Sequence, residues 1–176
     1  IEINIPAFNL KNYQNNIKTN EHRVVVGTSY NKTPEIFDSI EYFVVYPYWY
    51  VPNSIVFNEL IPKAKQDSTY FRRKGYDVLY RNTVVKSENI DFDLPFKYKL
   101  RQKGGNSNAL GLIKFIFPNS YYVYLHDTPS KKLFNKEVRA FSHGCIRLEN
   151  PLDLAENLLK YDNNELSIDS LKKLIK

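Results

Sequence analysis

Leu112-Ile113-Lys114-Phe115-Ile116-Phe117, then Pro118-Asn119-Ser120, then Tyr121-Tyr122-Val123-Tyr124-Leu125, and finally His126-Asp127-Thr128-Pro129 is the stretch on which the fold of this chain turns. Both arms are short and rich in β-branched and aromatic residues. Side chains alternate along each arm, and Pro-Asn-Ser between them marks a reversal. The pattern predicts an antiparallel hairpin with His126 at the far end of its second strand. Tyr124 shares the parity of His126, so both belong on one face, Tyr124 as a core tyrosine or as a pocket wall.

Upstream the strand pattern continues through residues 1–46. Glu2 to Ala7 alternates around Ile1, Ile3 and Ile5. Arg23-Val24-Val25-Val26-Gly27 is a β-branched run closed by a turn glycine, and Tyr42-Phe43-Val44-Val45-Tyr46 is stopped by Pro47. Asn15-Asn16 and Asn31-Lys32-Thr33-Pro34 have turn chemistry. The character changes between residues 50 and 108. Asn53 is placed to cap a short helix over 54–60, with Pro62 beginning another turn, and Asp67 to Gly75 reads as a helix closed by glycine. Residues 86–103 are polar and proline-interrupted, and Gly104-Gly105-Asn106-Ser107-Asn108 is a loop. The region reads as an insertion into a β scaffold. Downstream, Asn150-Pro151 opens a helix by cap and N1 proline, with Leu152, Ala155, Leu158 and Leu159 as its apolar face. Ser167 opens a last helix with Leu171, Leu174 and Ile175 inward. The expected fold class is α+β, mainly β, in a single domain over 1–176 with 50–108 inserted.

The chemistry gathers just past the hairpin, in Ser142-His143-Gly144-Cys145-Ile146-Arg147. Cys145 is the only cysteine, so an intrachain disulfide is excluded, and two of the three histidines lie within twenty residues of it. Nucleophilic thiol catalysis needs a thiolate, a base to make it, and a small residue that lets backbone N–H groups approach the reacting carbonyl. Cys145, a histidine and Gly144 supply those types. A lone cysteine is more often a small buried hydrophobe, and a lone histidine a hydrogen-bonded core residue. Their grouping at loop and strand ends favours catalysis. Asp127 is placed to orient His126 through its carbonyl rather than its carboxylate, because adjacent strand side chains point to opposite faces. Arg147 suits a substrate carboxylate or an ion pair with Glu149 or Asp127. His126, His143 and Cys145 are also acceptable zinc ligands, but there is no second cysteine and no His-x₃-His pair, so no metal is expected. His22 sits beside a β run and reads as structural.

Composition bounds the rest. An apolar fraction of 43% excludes a disordered chain, and no apolar run approaches the ~20 residues of a membrane span. The net charge of +6 points to acidic surroundings or to a solubilising surface. Its basic residues form short clusters such as Arg72-Arg73-Lys74, so nucleic acid is not an expected partner. The chain has no methionine and opens at Ile1-Glu2-Ile3 without a signal-peptide pattern. It is therefore read as a processed form or excised domain, with any targeting segment upstream.

His126 followed by Ser142-His143-Gly144-Cys145-Ile146-Arg147 resembles the signature of the L,D-transpeptidase catalytic domain, often called the YkuD domain. The likeness extends to the periplasmic subgroup with a helical cap, through Asn4-Ile5-Pro6-Ala7-Phe8, Pro47-Tyr48-Trp49-Tyr50-Val51-Pro52, Asn108-Ala109-Leu110-Gly111 and Tyr124-Leu125-His126-Asp127-Thr128-Pro129-Ser130. The resemblance implies a mixed β-sandwich, an inserted and mostly helical cap over 50–108, and C-terminal helices. It implies Cys145 as nucleophile, His126 as its base, and Asp127 as carbonyl partner of the other imidazole nitrogen. The backbone around His143, Gly144 and Cys145 would form the oxyanion hole, with the His143 ring nearby. Tyr124, Arg147, Ser142 and Trp49 would contact substrate, Trp49 from the start of the cap. The implied substrates are peptidoglycan stem peptides, joined 3→3 through a Cys145 thioester with loss of the donor's terminal D-alanine. Water, a free D-amino acid or a lipoprotein lysine as acceptor would divert the same acyl-enzyme. Carbapenems are expected to acylate Cys145, no cofactor is expected, and the expected location is the periplasm or cell envelope. The readings from other classes are a non-catalytic wall-binding module and a zinc-binding domain.

Overall fold

A computed structural model of the chain describes residues 1–86, 90–91, 97–162 and 166–175. It separates into two compact units, Ile1–Tyr46 with Leu110–Lys176, and Pro47–Ala109. In chain order, the first unit begins with β1 (Glu2–Asn4), β2 (Asn9–Gln14), β3 (Ile17–Gly27) and β4 (Tyr42–Val45). The second holds β5 (Trp49–Tyr50), α1 (Asn53–Ile55), α2 (Ile61–Gln66), α3 (Tyr70–Arg73), β6 (Tyr76–Tyr80), β7 (Thr83–Val85) and β8 (Tyr98–Gln102). The first then resumes with β9 (Ile113–Ile116), β10 (Leu125–His126), a 3₁₀ helix over Lys131–Asn135, β11 (Ala140–Ser142), β12 (Ile146–Leu148), α4 (Pro151–Leu159) and α5 (Ile168–Leu174).

The first unit is built on one mixed sheet in the order β1-β2-β3-β12-β10-β9-β4, with β11 on β3. β10 runs parallel to β12 and β11 parallel to β3, while the other pairings are antiparallel. The Asn15-Asn16 turn joins β2 to β3 with φ of 48° and 64°. That left-handed pair is the twist-matched two-residue hairpin geometry, which Asn tolerates. One sheet face is packed by Leu10, Val24, Val26, Phe115, Leu125, Ile146 and Leu148 against Leu154, Ala155 and Leu171 of the two C-terminal helices. Each fully buried side chain of this kind contributes about 1.5–3 kcal/mol.

The hairpin read from residues 112–125 is present, but its second strand is only β10, paired Lys114↔His126 and Phe115↔Leu125. Residues 121–124 do not extend it. The Asn119 side chain donates to the carbonyls of Phe117 and Val123 and accepts from the amides of Tyr121 and Val123, taking the place of ladder partners. At α4, Pro151 occupies the first turn, but the Asn150 side chain makes no cap bond. At α5, Ser167 Oγ accepts from the Ser170 amide. Leu171 is fully buried, whereas Leu174, expected inward, is 54% exposed. Ile175 packs against the core instead, because a seven-residue helix presents a stripe too narrow for both.

The second unit holds the helices expected of the insertion together with strands that the sequence pattern did not single out. It carries a four-stranded antiparallel sheet, β5-β8-β6-β7, beside its helices. Tyr76 to Val85 is an aromatic and β-branched run folded at Arg81-Asn82, whose φ values of 49° and 64° repeat the hairpin turn of Asn15-Asn16. Pro62 does not end the first helical stretch. A π-turn segment, Val56–Leu60, lies just before it, and the wider turn accommodates the missing proline N–H and its ring. The cap position is Pro52, not Asn53, with no side-chain bond. Tyr70–Arg73 is shorter than the helix expected over 67–75, and Gly75 follows it with φ of 70°. Val56, Leu60, Ala64, Phe71, Val78, Tyr98 and Leu100 form this unit's own core. Part of the polar stretch 86–103, including Pro95, lies outside the described residues.

Candidate active site

Two adjacent parallel strands build the site. β10 and β12 pair Leu125↔Ile146 and His126↔Arg147, and the Ile146 amide donates to the Tyr124 carbonyl at 3.0 Å. Leu125 and Ile146 point into the core. Alternation therefore places Tyr124, His126, Cys145 and Arg147 on the opposite face. Antiparallel β9 adds Lys114, opposite His126. The Tyr124 and His126 rings are 5.5 Å apart between centroids, and Lys114 Nζ lies 3.8 Å from the Tyr124 ring centroid. Sequence reasoning passed over Lys114. Its signal was parity, since Lys114 is the cation between Ile113 and Phe115 in an arm whose alternate residues are core.

His126 is buried, and its Nδ1 donates to the Asp127 carbonyl at 2.5 Å. A carbonyl accepts only, so Nδ1 carries the proton and Nε2 is left as an acceptor. Burial, with the neighbouring Arg147 and Lys114 charges, pushes the imidazole down to about 3, so the ring is neutral at physiological pH. The Asp127 carboxylate is engaged elsewhere. It accepts the Leu112 amide at 2.9 Å and pairs with Lys131 Nζ at 2.6 Å. It packs so closely over Gly111, at φ of 62°, that a Cβ there would lie 2.3 Å from Oδ2. Glu149 pairs with Arg23, so Asp127 and Glu149 each have a cation other than Arg147.

Cys145 is partly buried, and burial raises its thiol. Hydrogen bonds from the Tyr124 backbone and hydroxyl, and the charges of Lys114 and Arg147, act against that rise. The loop before it is braced twice. Ser142 Oγ donates to the Cys145 carbonyl at 2.5 Å and accepts the Gly144 amide at 3.1 Å. Ser142 is 3% exposed, so its hydroxyl is turned into the loop rather than toward substrate. Gly144 has φ of 116°, which a side chain would strain. Its amide is engaged by Ser142, so of the backbone expected to receive an oxyanion this N–H points elsewhere.

The second brace comes from a segment distant in sequence. Buried Thr33 donates through Oγ1 to the Gly144 carbonyl at 2.8 Å and accepts the Gly27 amide at 2.9 Å. Gly27 is glycine for space, since a Cβ would sit 2.0 Å from the Asn31 carbonyl oxygen. The Asn31–Pro34 turn thereby clamps the cysteine loop to the end of β3. Sequence reasoning took Thr33 as turn chemistry only.

The His143 side chain is on the exposed side of the loop. Trp49 belongs to the second unit, paired with Gln102 on β8. His22 is buried, with Nε2 3.0 Å from Asp153 Oδ2. Among the described residues, no group of three His, Cys, Asp or Glu side chains is arranged to hold a metal ion, and no helix is long and apolar enough to cross a membrane.

Residues 1–166 match the family model of the L,D-transpeptidase catalytic domain, YkuD. The chain is also 40% identical over 164 residues to a Haemophilus influenzae protein named "Putative L,D-transpeptidase". That alignment covers 91% of this chain and 33% of the relative, so the chain spans about a third of the length of the curated relative it matches.

Proposed function

The chain belongs to the L,D-transpeptidase catalytic domain family, and on that premise we propose that it transfers a peptidoglycan stem-peptide acyl group through a thioester on Cys145. The observation that carries this reading is the pairing of β10 with β12, which sets a neutral, carbonyl-anchored imidazole on the same face as the single thiol.

His126 Nε2 takes the Cys145 proton as sulfur attacks the carbonyl of the donor's L-centre residue. The C–S bond forms, and the developing oxyanion is received by the Cys145 amide rather than that of Gly144. The C–N bond to the terminal D-alanine breaks, and the leaving amine takes the proton from His126. An acceptor amine then attacks the thioester and yields its proton to His126. The new C–N bond replaces the C–S bond, giving a 3→3 cross-link and returning the thiol. Water in place of the amine would make the same site a carboxypeptidase. The cell envelope is the place where stem peptides are met, and the family is a cell-wall family.

Intact-mass measurement after incubation with a carbapenem tests the acyl-enzyme. A stoichiometric adduct on the unaltered protein, absent from Cys145→Ala, is expected. Equal labelling of both proteins, or of neither, would remove Cys145 as the nucleophile.

A further inference from the structure

Lys114 reaches the acyl site from a third strand. β9 lies beside β10, and β12 lies on the far side of β10. Lys114 is level with His126 and Arg147, and Cys145 lies two residues from Arg147 along the chain, so at about 4.8 Å per strand and about 3.3 Å per residue the Lys114 and Cys145 backbones are roughly 12 Å apart. The lysine stem covers much of that distance. Its ammonium lies 3.8 Å from the centroid of the Tyr124 ring, and Tyr124 hydrogen-bonds to the Cys145 thiol. The cation therefore ends one ring away from the sulfur. It is half-buried, and among the described residues it has no carboxylate partner. Burial lowers its pKa, and a negative charge on the Cys145 sulfur would oppose that. An unneutralised ammonium held in a partly dry site costs free energy unless an anion meets it there.

We propose that Lys114 is a specificity-determining residue that binds the free carboxylate of the donor's leaving residue, restricting the site to donors whose scissile bond is the last peptide bond of the chain. This rests on the acyl-transfer reading above. The carboxyl carbon of a terminal residue lies three bonds beyond the scissile carbonyl carbon, roughly 3–4 Å away. With sulfur bonded to that carbonyl, the carboxylate falls within reach of an ammonium poised over Tyr124. An internal peptide bond, or one ending in an amide, places a neutral group there and leaves the cation unpaired.

Two measurements on the whole chain test this. The first compares alkylation of Cys145 by anionic iodoacetate and neutral iodoacetamide. A change in thiol pKa alters both rates together, so their ratio isolates attraction of the anion. Lys114→Met keeps an unbranched stem against Tyr124, and the ratio is expected to fall about tenfold. Lys114→Arg should hold it. The second compares donor tetrapeptides ending in a free carboxylate or a primary amide. The unaltered protein should favour the acid in kcat/KM by about tenfold, and Lys114→Met should turn over the two alike. An unchanged alkylation ratio, or an equal loss on both donors, would overturn the proposal. An intact ratio effect with neither donor consumed would overturn the peptide identity of the ligand and the acyl-transfer reading, leaving the cation site itself.

Discussion

Thr33 and His126 show how single side chains set the chemistry here. Thr33 joins the Gly144 carbonyl and the Gly27 amide, two backbone groups that its removal would leave buried and unpaired. Thr33→Val keeps the shape and deletes both bonds, at a cost of about 1–3 kcal/mol. It is expected to slow carbapenem acylation of Cys145 about tenfold by loosening the loop, while Thr33→Ser keeps most of the rate. Valine acylating as fast as threonine would show that the clamp does not position the thiol. His126 titrates in the folded protein at about 3, against an ordinary 6.5. Below pH 6.5 the unfolded chain binds a proton that the folded one refuses. Stability from this group is therefore complete above pH 6.5 and is lost as pH falls toward 3. Denaturant melts across that window should show the decline, and His126→Asn should flatten it. Because burial also raises the Cys145 thiol, the resting pair is thiol and neutral imidazole rather than an ion pair. Alkylation should accordingly rise with pH above neutrality. A rate plateau reaching down to pH 4 would contradict that picture.

Turn chemistry decides the elements, and it explains which of them can be read in advance. Asn15 and Asn16 both take positive φ between Gln14 and Ile17. Asn16→Val, a β-branched residue in a left-handed position, should cost the hairpin about 1–2 kcal/mol, and Asn16→Gly should be neutral or stabilising. Chemical denaturation of the two variants checks this, and equal midpoints would refute it. The strands at Arg23–Gly27, Tyr42–Val45 and Ile113–Ile116 were legible because alternation and stopping residues agreed. β6 and β7 were obscured because Arg81-Asn82 is a weaker turn signal than Asn-Gly, although their aromatic and β-branched content pointed to strands. The helical stretch over 53–66 runs past Pro62 because a π turn absorbs what normally breaks a helix, and no residue pattern there signals it. At the site, Cys145 and His126 stood out through rarity and spacing. Lys114 and Thr33 are common residue types in ordinary patterns, and only strand pairing and long-range hydrogen bonds bring them to the thiol.

At the scale of the molecule, two cores divide the work of stability. The first unit packs Leu10, Phe115, Leu125 and Leu154 around the sheet that carries the thiol and imidazole, while the second packs around Phe71, Val78 and Leu100. The chain leaves the first unit after Tyr46 and returns at Leu110, so the sheet ordering β9 and β10 is assembled from segments on both sides of the insertion. Separate cores predict separable loss. Phe71 is 2% exposed, and Phe71→Ala should cost about 3–5 kcal/mol through lost burial and a residual cavity. If the loss is confined to the second unit, hydrogen exchange should quicken at amides of β6 and β8 while those of β3, β9 and β10 keep their protection. A carbapenem should then still acylate Cys145 in the variant, because Tyr124, His126, Lys114 and Thr33 all belong to the first unit. Uniform loss of protection, with loss of acylation, would mean that the two cores fold as one cooperative system.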